Sequence, residues 1–347
     1  MEPISWYIKI IYIYPIPLFV SNLVIKLFLR PTIIIALLFS YSIANAQLID
    51  NSSTFRSLQQ SSYFRFHYDN DYFTKTDEYY TQGITFDYVN PKLKRFPLTK
   101  LLWKPFTTEG QYGISLNLFG HTPTSIQSDS ILVGDRPFNA NISFKTFLIQ
   151  ADPIKKQQVS TAFSTGIMGP AALGFEIQYY IHDQTDNPLP KGWQFQTKND
   201  IILNYQVNYE KQLVSAGNNF LLNSTAEARL GTLNTKLAAG FNFMAGRFNK
   251  RYLGPDNKKR KTEYYIYGQT RVNLIGYDAT MQGGLLNRKS PYTITASDVT
   301  RATLQTDAGV ILNFQKFYVS YTQSFLTKEF RTGSTHRWGG VSFGLGF

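Results

Sequence analysis

The sequence predicts an all-β fold: a transmembrane antiparallel β-barrel of about twelve strands, with a short helix in an outer loop. Three observations predict it. Downstream of Gln47 the dominant hydrophobic period is two, as in a strand with unlike faces. Many alternating segments reach roughly ten residues, the length a tilted strand needs to cross the hydrocarbon, whereas strands of soluble sandwiches are nearer five or six. The 23 Tyr and 27 Phe are enough for aromatic girdles at both interfaces. Past residue 46 no run holds the roughly 18 apolar residues of a spanning helix, and mean hydropathy is only −0.22.

The N-terminal 46 residues read differently. Lys26 and Arg30 precede an apolar run that ends in Ala44-Asn45-Ala46 before Gln47. This is the charged, apolar and small-residue order of a secretory signal, with cleavage expected after Ala46. Residues 1–22 form an extension ahead of it, and residues 47–60 are expected to be a periplasmic segment leading into a barrel domain at 61–347. The 347-residue chain carries a net charge of +12 and no cysteine. It therefore has no disulfide framework, thiolate metal site or thiol nucleophile. A basic exported chain meets anionic lipid sooner than nucleic acid, and no aromatic-interleaved basic motif argues for nucleic acid.

Strands are predicted at 61–69, 80–90, 111–119, 139–150, 157–168, 199–214, 218–231, 233–246, 262–280, 300–313, 315–328 and 334–347. The last shows the pattern best: Val341, Phe343, Leu345 and Phe347 share one face, and Gly340, Ser342, Gly344 and Gly346 the other. On this reading Phe343 faces lipid and Ser342 a polar lumen, so a substitution by Arg is expected to be milder at Ser342. An even strand count closes without a free edge. The helix is predicted within residues 169–188, with Pro170 in its first turn and Asn187-Pro188 as its stop. The connections 91–110 and 247–261 are basic and contain proline.

Barrels of this kind keep both termini in the periplasm, so odd connections lie outside. That places 70–79, 120–138, 169–198, 281–299 and 329–333 at the outer rim. Phe64, Phe66 and Tyr68 then face lipid, as do Ile84, Phe86 and Tyr88. Arg65, His67, Asp69 and Asp71 face inward, with Thr81, Gly83, Thr85 and Asp87. Asn70 has lipid-side parity at the point where its strand ends. Inward Asp and Arg are also what any water-filled lumen contains. Gln178 and His182 are four apart and share a helix face. His182 suits general-base work near neutrality, and His67, His121 and His336 are rivals near the same lumen or rim.

These residues resemble the outer-membrane lipid A 3-O-deacylase family. The resemblance rests on Asn70-Asp71, "YYTQG" (79–83), "GPAALGFEIQYYIH" (169–182), "GW" (192–193) and "EFRTG" (329–333), in that order across residues 61–347. It implies a twelve-stranded, calcium-dependent ester hydrolase that removes the 3-O acyloxyacyl group from lipid A at the outer face of a Gram-negative outer membrane. His182 matches the general base, Asn70, Asp71 and Thr81 match active-site positions, and Gln178 matches a helix residue beside the base. Calcium prefers oxygen ligands, so Asp71 and Asn70 become the expected metal ligands. Lipopolysaccharide is the expected partner and the expected state a monomer. Two departures stand out: residues 91–110 are longer than the family leads one to expect, and "DQTDNPLP" (183–190) replaces a glycine-containing sequence. The alternative is a non-catalytic porin or structural barrel. A serine lipase is disfavoured, because no serine stands out at a rim position matched to a histidine.

Overall fold

The computed structural model describes residues 51–58, 60–74, 79–252 and 262–347. The expected signal peptide and its cleavage site, the tip of the first hairpin and part of the 247–261 connection lie outside the described residues.

Twelve antiparallel strands close into one barrel, each paired with its sequence neighbours and the first with the last. They are β1 (Tyr63–Asn70), β2 (Tyr79–Val89), β3 (Gly110–Thr122), β4 (Asn139–Asp152), β5 (Gln157–Met168) and β6 (Asp200–Ala216). The second half comprises β7 (Phe220–Gly231), β8 (Asn234–Arg247), β9 (Thr262–Asp278), β10 (Ala302–Phe314), β11 (Phe317–Leu326) and β12 (His336–Gly346). Period-two reading places every boundary within three residues of these, because most of each strand alternates between a lipid-facing and an inward residue. Phe64, Phe86, Leu116, Leu203, Phe241, Val272, Leu312 and Phe343 are exposed on the outward face. Helix α1 (Gly174–Gln184) lies in the β5–β6 connection, and a single helical turn α2 (Ala279–Gln282) follows β9.

The lumen is filled, by ion pairs and by an apolar cluster that includes Phe147, Leu221, Met244 and Ile311. Arg65 pairs with Asp87 at 2.8 Å, Arg251 with Glu263 at 3.1 Å, and Glu227 holds Arg229, Lys236 and Arg271 at 2.5–3.1 Å. The segment expected in the periplasm contributes to this filling: Asn51–Ser57 enters the barrel. Phe55 stacks on Tyr267 with centroids 4.3 Å apart, and its carbonyl accepts from the Tyr265 hydroxyl. Arg56 donates to Asn51 at 2.8 Å and to Thr322 at 2.9 Å. The Thr54 amide donates to Glu210 at 3.0 Å. Every fully buried charge here has partners, the condition under which burial is tolerated. Alternation places this segment outside the barrel because "STFR" has no periodicity of its own; its place is set by partners on β1, β6, β9 and β11.

The opposite end is closed by loops. Met281, Ile294, Val299 and Phe330 pack with Tyr79 and Ile275. Arg136, from the β3–β4 loop, joins Glu329 of the β11–β12 loop and donates to Thr280 of α2 at 2.6 Å. The barrel is thus obstructed at both ends by its own chain.

Candidate active site

The first hairpin departs from simple alternation. Tyr80 pairs with His121 and Gln82 with Gly120, leaving Thr81 as the extra residue of a β-bulge. A bulge places two residues opposite one and re-aims their side chains. Tyr80 turns into the lumen, where its hydroxyl reaches Asp69 at 3.3 Å and its ring meets His121 and Trp338. Thr81 turns out: its γ-methyl and Cγ of Gln82 both lie 3.4 Å from where a Cβ on Gly120 would be. The inward orientation expected for Thr81 is therefore corrected. One inserted residue reverses the parity that held from Ile84 to Tyr88.

Asn70 also keeps its outward face. Its Nδ2 donates to the hydroxyl of Tyr68, two residues back on the same side, at 2.9 Å. Asp71 follows as the first residue of a 3-10 turn and is buried. Thr74 closes the turn by donating to the Asp71 carbonyl at 2.7 Å.

Next to this hairpin the outward face is floored by small residues. Gly120 of β3 pairs with Ala140 of β4, and Ala140 lies under the start of α1. A Cβ on Gly174 would overlap the Ala140 methyl and come within 2.6 Å of the Trp193 ring. Ala172, Phe138, Ile126 and Trp193 complete the seat. Helix α1 is therefore mounted on the outside of the wall and not over the lumen. A row Thr81, Gly120, Ala140, Gly174 runs from the bulge to the helix, flanked by Gln82 at one end and Trp193 at the other.

Within the helix, Gln178 is 2% exposed and its Oε1 accepts from Trp193 Nε1 at 2.7 Å. That contact fixes which end of the carboxamide faces Trp193, and among the described residues the buried Nε2 has no hydrogen-bond partner. His182, one turn on, is half-buried. Its Nδ1 lies 2.7 Å from the carbonyl oxygen of Pro188. A carbonyl only accepts, so Nδ1 carries a proton, and in the neutral ring Nε2 is the nitrogen with the lone pair. The helix ends as the stop signal implied: Asp186 adopts left-handed backbone, and the Asn187 amide donates back to the His182 carbonyl at 2.9 Å.

The five candidate residues thus fall into two groups. Asn70, Asp71 and Thr81 sit at the β1–β2 hairpin, whose turn lies against β12 and β2, and Gln178 and His182 sit on a helix that lies against β4. The rival histidines have other surroundings. His67 lies between Ser342 Oγ at 2.6 Å and Asp69 Oδ1 at 2.7 Å. His336 accepts from the Tyr80 amide and stacks on Trp338, and His121 packs on Tyr80. All but His121 are fully buried in the lumen. The cluster of Ser342, His67 and Asp69 escaped sequence reading because its members come from β1 and β12, the two ends of the chain. It has the order of a hydrolytic triad but is buried on all sides. Among the described residues no group of three His, Cys, Asp or Glu is placed to hold a metal. The oxygen donors at hand are the Asp71 carboxylate and the Asn70 amide oxygen.

The model of the family described as "Outer membrane protein LpxR" matches residues 33–347. The structure is similar to that of LpxR from Salmonella typhimurium, with a TM-score of 0.66 and 17% identity over 82% of this chain and 100% of that one. The β domain of the Bordetella autotransporter BrkA gives a TM-score of 0.43 at 9% identity, over 83% and 99% of the two chains. No curated protein matches. With a family match over most of its length and a closed twelve-stranded barrel, the chain belongs to the LpxR family of Gram-negative outer-membrane proteins, the lipid A 3-O-deacylase family that its motifs resemble.

Proposed function

We propose that the protein hydrolyses the ester-linked 3-O acyloxyacyl group of lipid A, working from the outward face of the barrel. The observation that carries this reading is His182: a histidine with Nδ1 held by a backbone carbonyl and Nε2 left to accept, on a helix mounted on the lipid-facing wall.

In this reaction His182 Nε2 takes a proton from water as the water oxygen attacks the ester carbonyl carbon. The acyl C–O bond then breaks, and the imidazolium returns the proton to the departing sugar oxygen. The products are a free acid and a hydroxyl on lipid A. Pro188 holds the ring in the productive tautomer. The free Nε2–H of Gln178 is a donor suited to charge developing on oxygen.

Calcium is the expected cofactor. Asp71 and Asn70 would hold it, with turn carbonyls completing the all-oxygen set such an ion requires. Their donor chemistry fits: a buried carboxylate stands beside an amide whose nitrogen is committed to Tyr68. When bound, the ion supplies Lewis-acid polarisation of the ester carbonyl.

The porin alternative is disfavoured by the obstructed barrel. Mass spectrometry of lipid A from cells with and without the protein tests the reading directly, with His182→Asn as the key variant. The expected result is loss of one acyloxyacyl mass in the presence of the protein. His182→Asn should reduce turnover by roughly 10²–10⁴-fold, the usual general-base contribution, with heat-modifiable gel mobility unchanged. Full activity in His182→Asn would sink the assignment, and single-channel conductance without any change in lipid A would favour the porin.

A further inference from the structure

The connection between β2 and β3 lies back along the outward wall. Two consecutive 3-10 turns, Pro91–Arg95 and Pro97–Leu101, are each started by a proline whose missing N–H costs nothing there. Leu93 and Leu102 pack on Tyr112, Leu148 and Phe163, and the Phe96 ring meets Phe144 at 5.9 Å.

The wall is made to receive this strap. Outward positions that would otherwise put polar groups into hydrocarbon are spent on its backbone. Gln150 Nε2 donates to the carbonyls of Phe106 and Thr108 at 2.9 and 2.8 Å. Thr161 donates to the carbonyl of Trp103 at 3.0 Å. The Tyr205 hydroxyl accepts from the Trp103 amide at 2.8 Å and donates to the Leu101 carbonyl at 3.2 Å. An irregular segment at membrane depth needs its backbone satisfied in this way.

Its other surface combines two chemistries. Leu101 and Trp103 project from the wall, 52% and 55% exposed. Around them Lys92, Lys94, Arg95, Lys100 and Lys104 are all exposed, against the single acid Glu109, which pairs with Lys94 at 3.3 Å. Apolar anchors set among cations are the chemistry of a segment lying in a membrane interface. The strap leaves from the end of the barrel where β1 begins and β12 ends, the periplasmic end in barrels of this kind.

We infer that this strap is a docking surface for anionic phospholipid of the periplasmic leaflet, with Leu101 and Trp103 among the acyl chains and the cations on headgroup phosphates. The inference rests on the outer-membrane barrel and is independent of the catalytic reading.

Tryptophan fluorescence tests it. Trp193 and Trp338 are buried, at 3% and 0% exposure, so Trp103 is the lipid-accessible reporter among the described residues. The full chain, carrying Trp6→Phe so that the N-terminal tryptophan does not report, is reconstituted in phosphatidylcholine vesicles containing brominated phosphatidylglycerol or, separately, brominated phosphatidylcholine. Quenching should be stronger with phosphatidylglycerol, should vanish in Trp103→Phe, and should lose its headgroup preference at about 1 M salt, where the Debye length is about 3 Å. Replacing Lys92, Arg95 and Lys100 together by Gln should reduce the preference at least about fivefold, since each interfacial cation contributes about 1 kcal/mol. The salt series on the unaltered chain decides the matter even if the triple variant fails to fold. Equal quenching by both lipids, or a preference indifferent to salt, overturns the anionic assignment. No quenching of Trp103 by either lipid means that something other than lipid covers the strap.

Discussion

Substituting neighbouring residues of β12 by Arg separates a filled lumen from a watery one. Phe343 is 52% exposed on the outward face, and Arg there costs about 2–4 kcal/mol near the midplane. Alternation alone makes Ser342→Arg the milder change, since a polar lumen accepts a cation. The packing reverses this expectation. Ser342 is fully buried and bonds His67 Nδ1 at 2.6 Å. On the same inward face, a Cβ on Gly340 would collide with the Asp69 carboxylate, and one on Gly344 would come within 2.8 Å of Leu58. An Arg at 342 therefore has space neither along the strand nor across it. Overpacking costs about 1–3 kcal/mol, and a buried imidazole deprived of its partner about 1–3 kcal/mol more. Ser342→Arg should then destabilise by roughly 2–6 kcal/mol, at least as much as Phe343→Arg. Denaturant midpoints in detergent, read by heat-modifiable mobility, measure both. A Ser342→Arg cost below about 1 kcal/mol beside a Phe343→Arg cost of 2–4 would refute the filled lumen.

Three further outcomes are expected. Gly120→Leu, an apolar change on the outward face that crowds the floor between Thr81 and Ala140, should cost about 1–3 kcal/mol of stability by overpacking and, with the barrel still folded by heat-modifiable mobility, lower lipid A hydrolysis on the order of 10²-fold; unchanged hydrolysis would move the site elsewhere. Asp71→Ala should abolish hydrolysis or raise the calcium it requires, and full activity in excess chelator would remove the metal from the reaction. Burial lifts the Glu329 carboxyl in the loop cap to about 7 from 4.5, with Arg136 opposing the rise. The folded chain therefore holds a proton that the unfolded one releases, so this contribution is full below about pH 4.5 and is lost as pH rises through 7. Melting curves across that window should fall with pH in the parent and flatten in Glu329→Gln.

The strands were legible because lipid on one side and packed polar groups on the other impose period two over ten or more residues. Helix α1 was legible from Pro170 and Asn187-Pro188, which set its approach and its end. What alternation could not show was any feature that depends on one residue out of step or on distant partners. The bulge at Thr81 is a single insertion inside "YYTQG", and it decides whether Thr81 faces water or lipid. Asn51–Ser57 carries no pattern, and only partners distant in sequence, Glu210, Tyr267 and Thr322, reveal where it belongs. Trp193 was noted only as part of a motif, yet it orients Gln178. Pro188 was read as a stop signal, yet its carbonyl sets the His182 tautomer.

These corrections bear on how a lipid ester would reach the protein. A lumenal site, as simple alternation suggested, requires an acyl chain to leave the bilayer and enter a filled barrel. Each methylene withdrawn from hydrocarbon costs about 0.8 kcal/mol, so a chain of about twelve would cost on the order of 10 kcal/mol. That penalty is comparable to the whole rate enhancement of a modest enzyme, which starts at about 8 kcal/mol. In the proposed reaction, with Asn70, Thr81, the Gly120–Ala140 floor and helix α1 all on the outward wall, the acyl chain would stay in the leaflet and only the ester would have to meet polar groups. That penalty would then not arise, and binding energy from the chain would not be needed to offset it. Such a site leaves the lumen to be filled by ion pairs, by an apolar cluster and by the chain's own N-terminal segment.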